Sequence, residues 1–224
     1  MRNKDTVLFD LDGTLLDRAG SLRDFALWQA KGMLRNSISN KNQNTFCERF
    51  IELDSNGAVW KDQVYTDLVQ DFGIEDWSIS ELLTSYELCF SGFCKPLPNA
   101  VKAVEDLHKK GYRLGLVSNG KSPFQERNFN ALGISHLFGS VIVSDAVGLR
   151  KPDSQIFVLV CDALGSSADN TVFVGDNPVA DIEGANKAGM YSVYIPGYCG
   201  QECNDADHIC RNFKDLVGIV ENAN

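Results

Sequence analysis

Clusters of lysine and arginine are absent from this sequence, and its 21 basic residues are outnumbered by 30 acidic ones, for a formal net charge of −9. A general nucleic-acid binder needs grouped cations to displace counterions, so nucleic acid is not an expected partner. Long apolar runs are missing too. The opening MRNKDTVLFDLDG holds a short apolar stretch, Val7 to Phe9, before acids intervene. That is far short of a signal peptide or a membrane span, so the expected setting is the cytoplasm with no membrane partner. The chain shows no internal repeat and no low-complexity segment. Nor does it have an even set of cysteines: there are seven, which fits free thiols in a reducing compartment better than a disulfide framework. One segment, CGQECNDADHIC, offers Cys199, Cys203, His208 and Cys210 as zinc-ligand types. Its spacings are irregular, and ADHICRNF reads more simply as a strand leading into a helix.

What the chain has is 44% hydrophobic residues over 224 positions, enough for one substantial core or a core with a smaller lobe. Short apolar runs alternate with helical patterns. TVLF (6–9), RLGLVS (113–118), SVIVS (140–144), TVFVG (171–175) and YSVYI (191–195) lack clean alternation, as expected of strands buried on both faces of a parallel sheet. Between them AVKAVEDLHKKG and the stretches beginning at Pro152 and Pro178 read as helices, with Gly111 and Gly189 as stops. The fold class expected is α/β, a Rossmann-like parallel sheet flanked by helices.

Residues 18–95 differ, having no comparable strand run. Phe46, Phe50 and Leu53 share one helical face, as do Val64, Leu68 and Phe72, and again Leu82, Tyr86 and Phe90. The expectation is an inserted α-helical domain over 18–95, returning through the two prolines of SGFCKPLPN to a core formed by 1–17 and 96–224. Such an insert would sit above the carboxyl ends of the strands, where open α/β sheets bind ligands, and act as a lid.

The first strand runs into FDLDGTLLD. Asp10 and Asp12 are two apart, so both carboxylates leave one side of the chain if strand geometry persists. A calcium loop would need glycine at its sixth position and glutamate at its twelfth, where this chain has Leu15 and Ser21. In VGDNPVADIEGA, Asp176 leaves another strand toward the same crevice and Asp181 follows five residues later. Hard carboxylate oxygens converging there suit Mg²⁺ together with a phosphate. Simple helix capping competes with that reading, more strongly for Asp181 than for Asp176.

Four pieces in this order resemble the haloacid dehalogenase superfamily, over nearly the whole chain. DLDGT at Asp10 to Thr14 is similar to its first motif, Ser118 and Asn119 to its second, Lys151 in RKPD to its third, and GDNPVAD at Gly175 to Asp181 to its fourth. The helical interval matches the family's inserted cap. The stretch GLVSNGKS, Gly115 to Ser122, also fits a nucleotide phosphate-loop pattern, but Gly115 lies inside an apolar run rather than after it. The strand instead leads to Ser118, whose hydroxyl and neighbouring N–H groups, with Asn119, can hold a phosphate at a helix start.

The resemblance implies a Mg²⁺-dependent phosphatase acting on a small phosphorylated metabolite through an aspartyl-phosphate. It implies Asp10 as nucleophile and Asp12 as general acid and then base. It implies metal held by Asp10, the Asp12 carbonyl and Asp176, and phosphate by Thr14, Ser118, Asn119 and Lys151, with Asp181 supporting. An acid at position 12 is similar to the phosphate-processing branch rather than the dehalogenases. A phosphomutase of the β-phosphoglucomutase type and a non-catalytic phosphate-binding protein are the alternatives. Arg49, Lys61 and Lys95 are cations of the insert, each expected as a solvated surface charge.

Overall fold

The structure is a computed structural model that describes residues 4–197 and 203–223. In chain order it runs β1 (Thr6–Phe9), α1 (Arg18–Lys31), α2 (Gln43–Asp54), α3 (Lys61–Phe72), α4 (Ile79–Cys89), α5 (Ala100–Lys109), β2 (Arg113–Ser118) and α6 (Phe124–Ala131). It continues with β3 (Ser140–Val143), α7 (Ser144–Val147), α8 (Ser154–Leu164), β4 (Thr171–Gly175), α9 (Gly184–Ala188), β5 (Tyr191–Tyr194), β6 (His208–Ile209) and α10 (Phe213–Glu221). No helix among the described residues is long and apolar enough to cross a membrane. The chain divides into two compact units, Met1–Asp17 with Pro96–Asn224, and Arg18–Lys95.

The first unit is an α/β sheet structure. Its six strands are all parallel in the order β3-β2-β1-β4-β5-β6. Central β1 is buried at every position because strands flank it on both sides and helices cover the faces. Leu8, Val117 and Phe173 form one core with Ile156, Phe157 and Val160 of α8. Phe9 points to the opposite face by strand alternation and meets Phe138 edge-on, with centroids 6.0 Å apart. Gly115 lies inside β2, registered against Leu8 and Ser140, so GLVSNGKS turns only after Ser118 and is no nucleotide phosphate loop.

Several boundaries move from the sequence reading. Ser144 opens α7 instead of closing β3, and α8 starts at Ser154 rather than Pro152 because the Asp153 side chain caps it by accepting from Gln155 N–H at 2.9 Å. After Pro178 the chain forms a π-helical turn to Glu183 before α9. Cys199 lies outside the described residues; of its would-be zinc partners Cys203 and Cys210 are buried and His208 is exposed.

The second unit is helical. Phe25 of α1 packs against Phe50, Tyr86, Phe90 and Phe93, and the buried Gln29 amide exchanges hydrogen bonds with the Tyr65 hydroxyl. The buried face of α2 carries Phe46 and Phe50 as read, but it continues to Asp54 while Leu53 is half-buried. Asp54 is tolerated there because Arg18 donates to both its oxygens, at 2.6 and 2.9 Å, and Lys61 and the Gly57 N–H also donate to it. Lys61 is therefore a nearly buried ion-pair partner and not a solvated charge. Arg49 and Lys95 sit nearer the surface, paired with Asp71 and Asp24 at 2.8 Å.

Candidate active site

The chemistry-bearing side chains of the sheet unit gather where β1, β2 and β4 end. Asp10 directly follows β1 and still donates its N–H to Val174 of β4, at 3.0 Å. The chain then folds back sharply, with Leu15 and Leu16 N–H both donating to the Leu11 carbonyl at 3.0 and 2.8 Å. Gly13 makes the reversal possible. Its φ is +80°, and a Cβ there would run into the Asp176 carboxylate, so the glycine also lets the two acidic loops approach.

Lys151 holds the centre. Its ammonium donates to Asp10 Oδ1 at 2.5 Å and to the Val117 carbonyl at 2.8 Å, and it lies 2.7 Å from Asp181 Oδ1. The backbone of Lys151 is fixed by a reciprocal pair: Asn119 Nδ2 donates to its carbonyl and its N–H donates to Asn119 Oδ1, both at 3.0 Å. The Asn119 side chain is thus committed to placing Lys151. Asp181 is committed as well. Its Oδ2 accepts from the N–H groups of Asp176 and Asn177 at 3.1 and 3.0 Å while Oδ1 faces Lys151.

Carboxylate oxygens of Asp10, Asp176 and Asp181 all lie within 4.8 Å of one another. Burial pushes Asp10 up to about 7 against the pull of Lys151, and burial together with Asp10 and Asp181 pushes Asp176 up to about 8. Lys151 is held above the usual lysine range: burial opposes its charge, but Asp10 and Asp181 outweigh that. Asp12 adds a fourth carboxyl group whose charge acts on Asp10 and Asp176. The donor set is hard oxygen, the kind a small divalent cation takes. Asp10, Asp176 and Asp181 are the side chains that could hold a metal, Asp181 being the one whose Oδ2 already accepts two N–H groups and whose Oδ1 faces Lys151.

Thr14 and Ser118 border this group. Thr14 is fully buried and its hydroxyl has no hydrogen-bond partner among the described residues, so it retains its capacity to bond a ligand. Ser118 ends β2, buried, with Oγ accepting from Gln125 Nε2 at 2.9 Å. The same Gln125 amide donates to Asp12 Oδ2 at 2.7 Å. Gln125 lies in none of the four motifs. The available signal was a polar pair, Gln125 and Asn128, on the buried face of α6 beside Phe129.

Residues 4–189 match the sequence profile of the haloacid dehalogenase-like hydrolases. The chain is 32% identical over 220 residues to a glyceraldehyde 3-phosphate phosphatase of Methanothermobacter thermautotrophicus, covering 95% of this chain and 94% of that one. It is 30% identical over 244 aligned positions to a phosphoglycolate phosphatase of Salmonella typhi, covering 97% and 92%. A haloacid dehalogenase-type phosphatase from Thermococcus onnurineus superimposes with a TM-score of 0.67 at 27% identity, covering 98% of this chain and 99% of that one. A strand-end acid group on a parallel sheet, matched over that span, makes this chain a member of the haloacid dehalogenase-like hydrolase family. Within the family it is an enzyme of the phosphatase class.

Proposed function

We propose that the enzyme hydrolyses phosphate monoesters of small metabolites through a phosphoryl-Asp10 intermediate, with Mg²⁺ as its cofactor. The observation that carries this reading is the Asp10 carboxylate, buried at the end of β1, with the Lys151 ammonium 2.5 Å from one oxygen and Asp176 beside it. Two relatives matched nearly end to end, named for glyceraldehyde 3-phosphate and phosphoglycolate, support a small phosphorylated substrate. By chain position, Arg18–Lys95 corresponds to the inserted cap of the family.

Asp10, the Asp12 carbonyl and Asp176 would hold the Mg²⁺, whose charge offsets repulsion between an anionic nucleophile and an anionic ester. In the first step the Asp10 carboxylate attacks phosphorus. A P–O bond to Asp10 forms, the ester P–O bond breaks, and the leaving oxygen takes a proton from Asp12. In the second step Asp12 takes a proton from water, the water oxygen bonds to phosphorus, and the bond to Asp10 breaks to give inorganic phosphate. Lys151, the Ser118 hydroxyl and the Thr14 hydroxyl match the charge on the transferring oxygens. Thr14 suits that duty because its buried hydroxyl has no partner among the described residues. Asp181 keeps Lys151 aimed and tethers the 176–177 turn.

The test is phosphate release from p-nitrophenyl phosphate, glyceraldehyde 3-phosphate, phosphoglycolate and sugar phosphates, with Mg²⁺ or with EDTA. Release that needs Mg²⁺ and disappears in Asp10→Asn supports the reading. Release unaffected by Asp10→Asn overturns it, as does folded protein with Mg²⁺ that releases nothing from any ester.

A further inference from the structure

Gln125 is 3% exposed in the first turn of α6, and no step above uses it. Three acceptors surround its amide nitrogen: Asp12 Oδ2 at 2.7 Å, Ser118 Oγ at 2.9 Å and the Asn119 carbonyl at 3.5 Å. A carbonyl can only accept, so the nitrogen and not the oxygen must face this group. On the other side Asn128 Nδ2 donates to Gln125 Oε1 at 3.3 Å, which supports the same orientation. The stem is confined too. A Cβ on Gly120 would lie 2.7 Å from Gln125 Cγ, so the Ser118–Gly120 turn closes directly over the side chain. A buried amide gripped at both ends costs several rotamers on folding, and a hydrocarbon of the same size would fill the space without needing partners.

We infer that Gln125 is a positioning residue for the acid–base carboxyl, fixing Asp12 in the rotamer that reaches the leaving oxygen and tying it to Ser118. The inference rests on the reading of Asp12 as general acid. A glutamine suits this task because its NH₂ carries two hydrogens, one for Asp12 Oδ2 and one for Ser118 Oγ, so the acid–base group and the phosphate-binding hydroxyl share one donor. Being neutral, it does so without adding charge to a site already crowded with acids. Proton transfer is sensitive to placement within hydrogen-bond reach, so an Asp12 carboxyl that loses this donor is held less well and loses part of its effect even though it is still present.

The consequence is specific to the leaving group. A p-nitrophenolate departs well without a proton, whereas phenolate and alkoxides need one. The experiment measures kcat/KM of the full chain at saturating Mg²⁺ for p-nitrophenyl phosphate, phenyl phosphate and phosphoglycolate. Wild type is compared with Gln125→Met, Gln125→Leu, Asp12→Asn and Asp10→Asn, with thermal unfolding run on each. Both Gln125 variants keep the side-chain volume, so one remains if the other folds poorly. The inference predicts a modest loss on p-nitrophenyl phosphate and roughly tenfold greater loss on phenyl phosphate and phosphoglycolate, a smaller skew in the direction of Asp12→Asn. Equal loss on all three esters, or no loss, in a variant that unfolds near the wild-type temperature overturns it. The underlying reading fails separately, through an active Asp10→Asn or an unskewed Asp12→Asn.

Discussion

The Lys151 ammonium lies 2.7 Å from Asp181 Oδ1, with each side chain only 1% exposed. A charge pair so deep is held by geometry: the two N–H groups on Asp181 Oδ2 and the Asn119 bracket on the Lys151 backbone fix both ends before any substrate arrives. Removing one partner strands the other. Lys151→Met is expected to destabilise the protein by about 3 kcal/mol, because Asp10 and Asp181 then face each other without a counter-charge. It is also expected to cut kcat on p-nitrophenyl phosphate by roughly a hundredfold or more. Urea unfolding and steady-state kinetics check the two effects on one preparation.

Thr14→Val should separate binding from folding. Its buried hydroxyl has no partner among the described residues, so replacing it with a methyl group leaves stability unchanged or raises it by about 1 kcal/mol. The KM for a phosphate ester should rise in the same variant. Thermal unfolding and substrate titration together test this pairing of opposite signs.

Metal affinity should depend on pH through Asp10 and Asp176. Without metal their carboxyls sit at about 7 and about 8, so binding a divalent cation must displace protons below that range. Mg²⁺ affinity is therefore expected to weaken as pH falls from 8 toward 6, and calorimetry in buffers of different ionisation enthalpy should register proton release. Linkage gives a second sign. These folded-state values lie above those of an unfolded chain, so their contribution to metal-free stability is full below about pH 4 and is lost as pH rises through 7 and 8. Added Mg²⁺ should restore most stability at the alkaline end.

Asp54 in the helical unit shows the reverse sign. Burial opposes its charge, but Arg18 and Lys61 outweigh burial and hold the carboxyl below the usual aspartate range. Its contribution is present above the unfolded value of 3.8 and is lost as pH falls through the lower folded value. Asp54→Ala leaves two cations without their shared acceptor and should cost about 3 kcal/mol, read by thermal unfolding at neutral pH.

These two clusters show what a sequence reading reaches and where it stops. Strands buried on both faces announce themselves as unbroken apolar runs, and acids at their ends need only strand geometry to be grouped, so Asp10 and Asp176 were legible. Asp54 was not, because a helical-face count favours Leu53, and its partners Arg18 and Lys61 lie 36 positions before it and seven after it. Gln125 was missed for a similar reason. It belongs to no motif, and only the turn after β2 brings it from α6 to Asp12, 113 positions earlier. The motif pattern points to Asn119 as a phosphate ligand, whereas its side chain in the fold holds the Lys151 backbone.

The central claim is that phosphoryl passes through Asp10. Enzyme turning over a phosphate ester with Mg²⁺ should be quenched in acid and digested, and the peptide containing Asp10 weighed before and after hydroxylamine treatment. The account predicts a phosphoryl group on that peptide, removed by hydroxylamine and missing from Asp10→Asn. An unmodified Asp10 peptide, together with an Asp10→Asn variant that still releases phosphate, would contradict it.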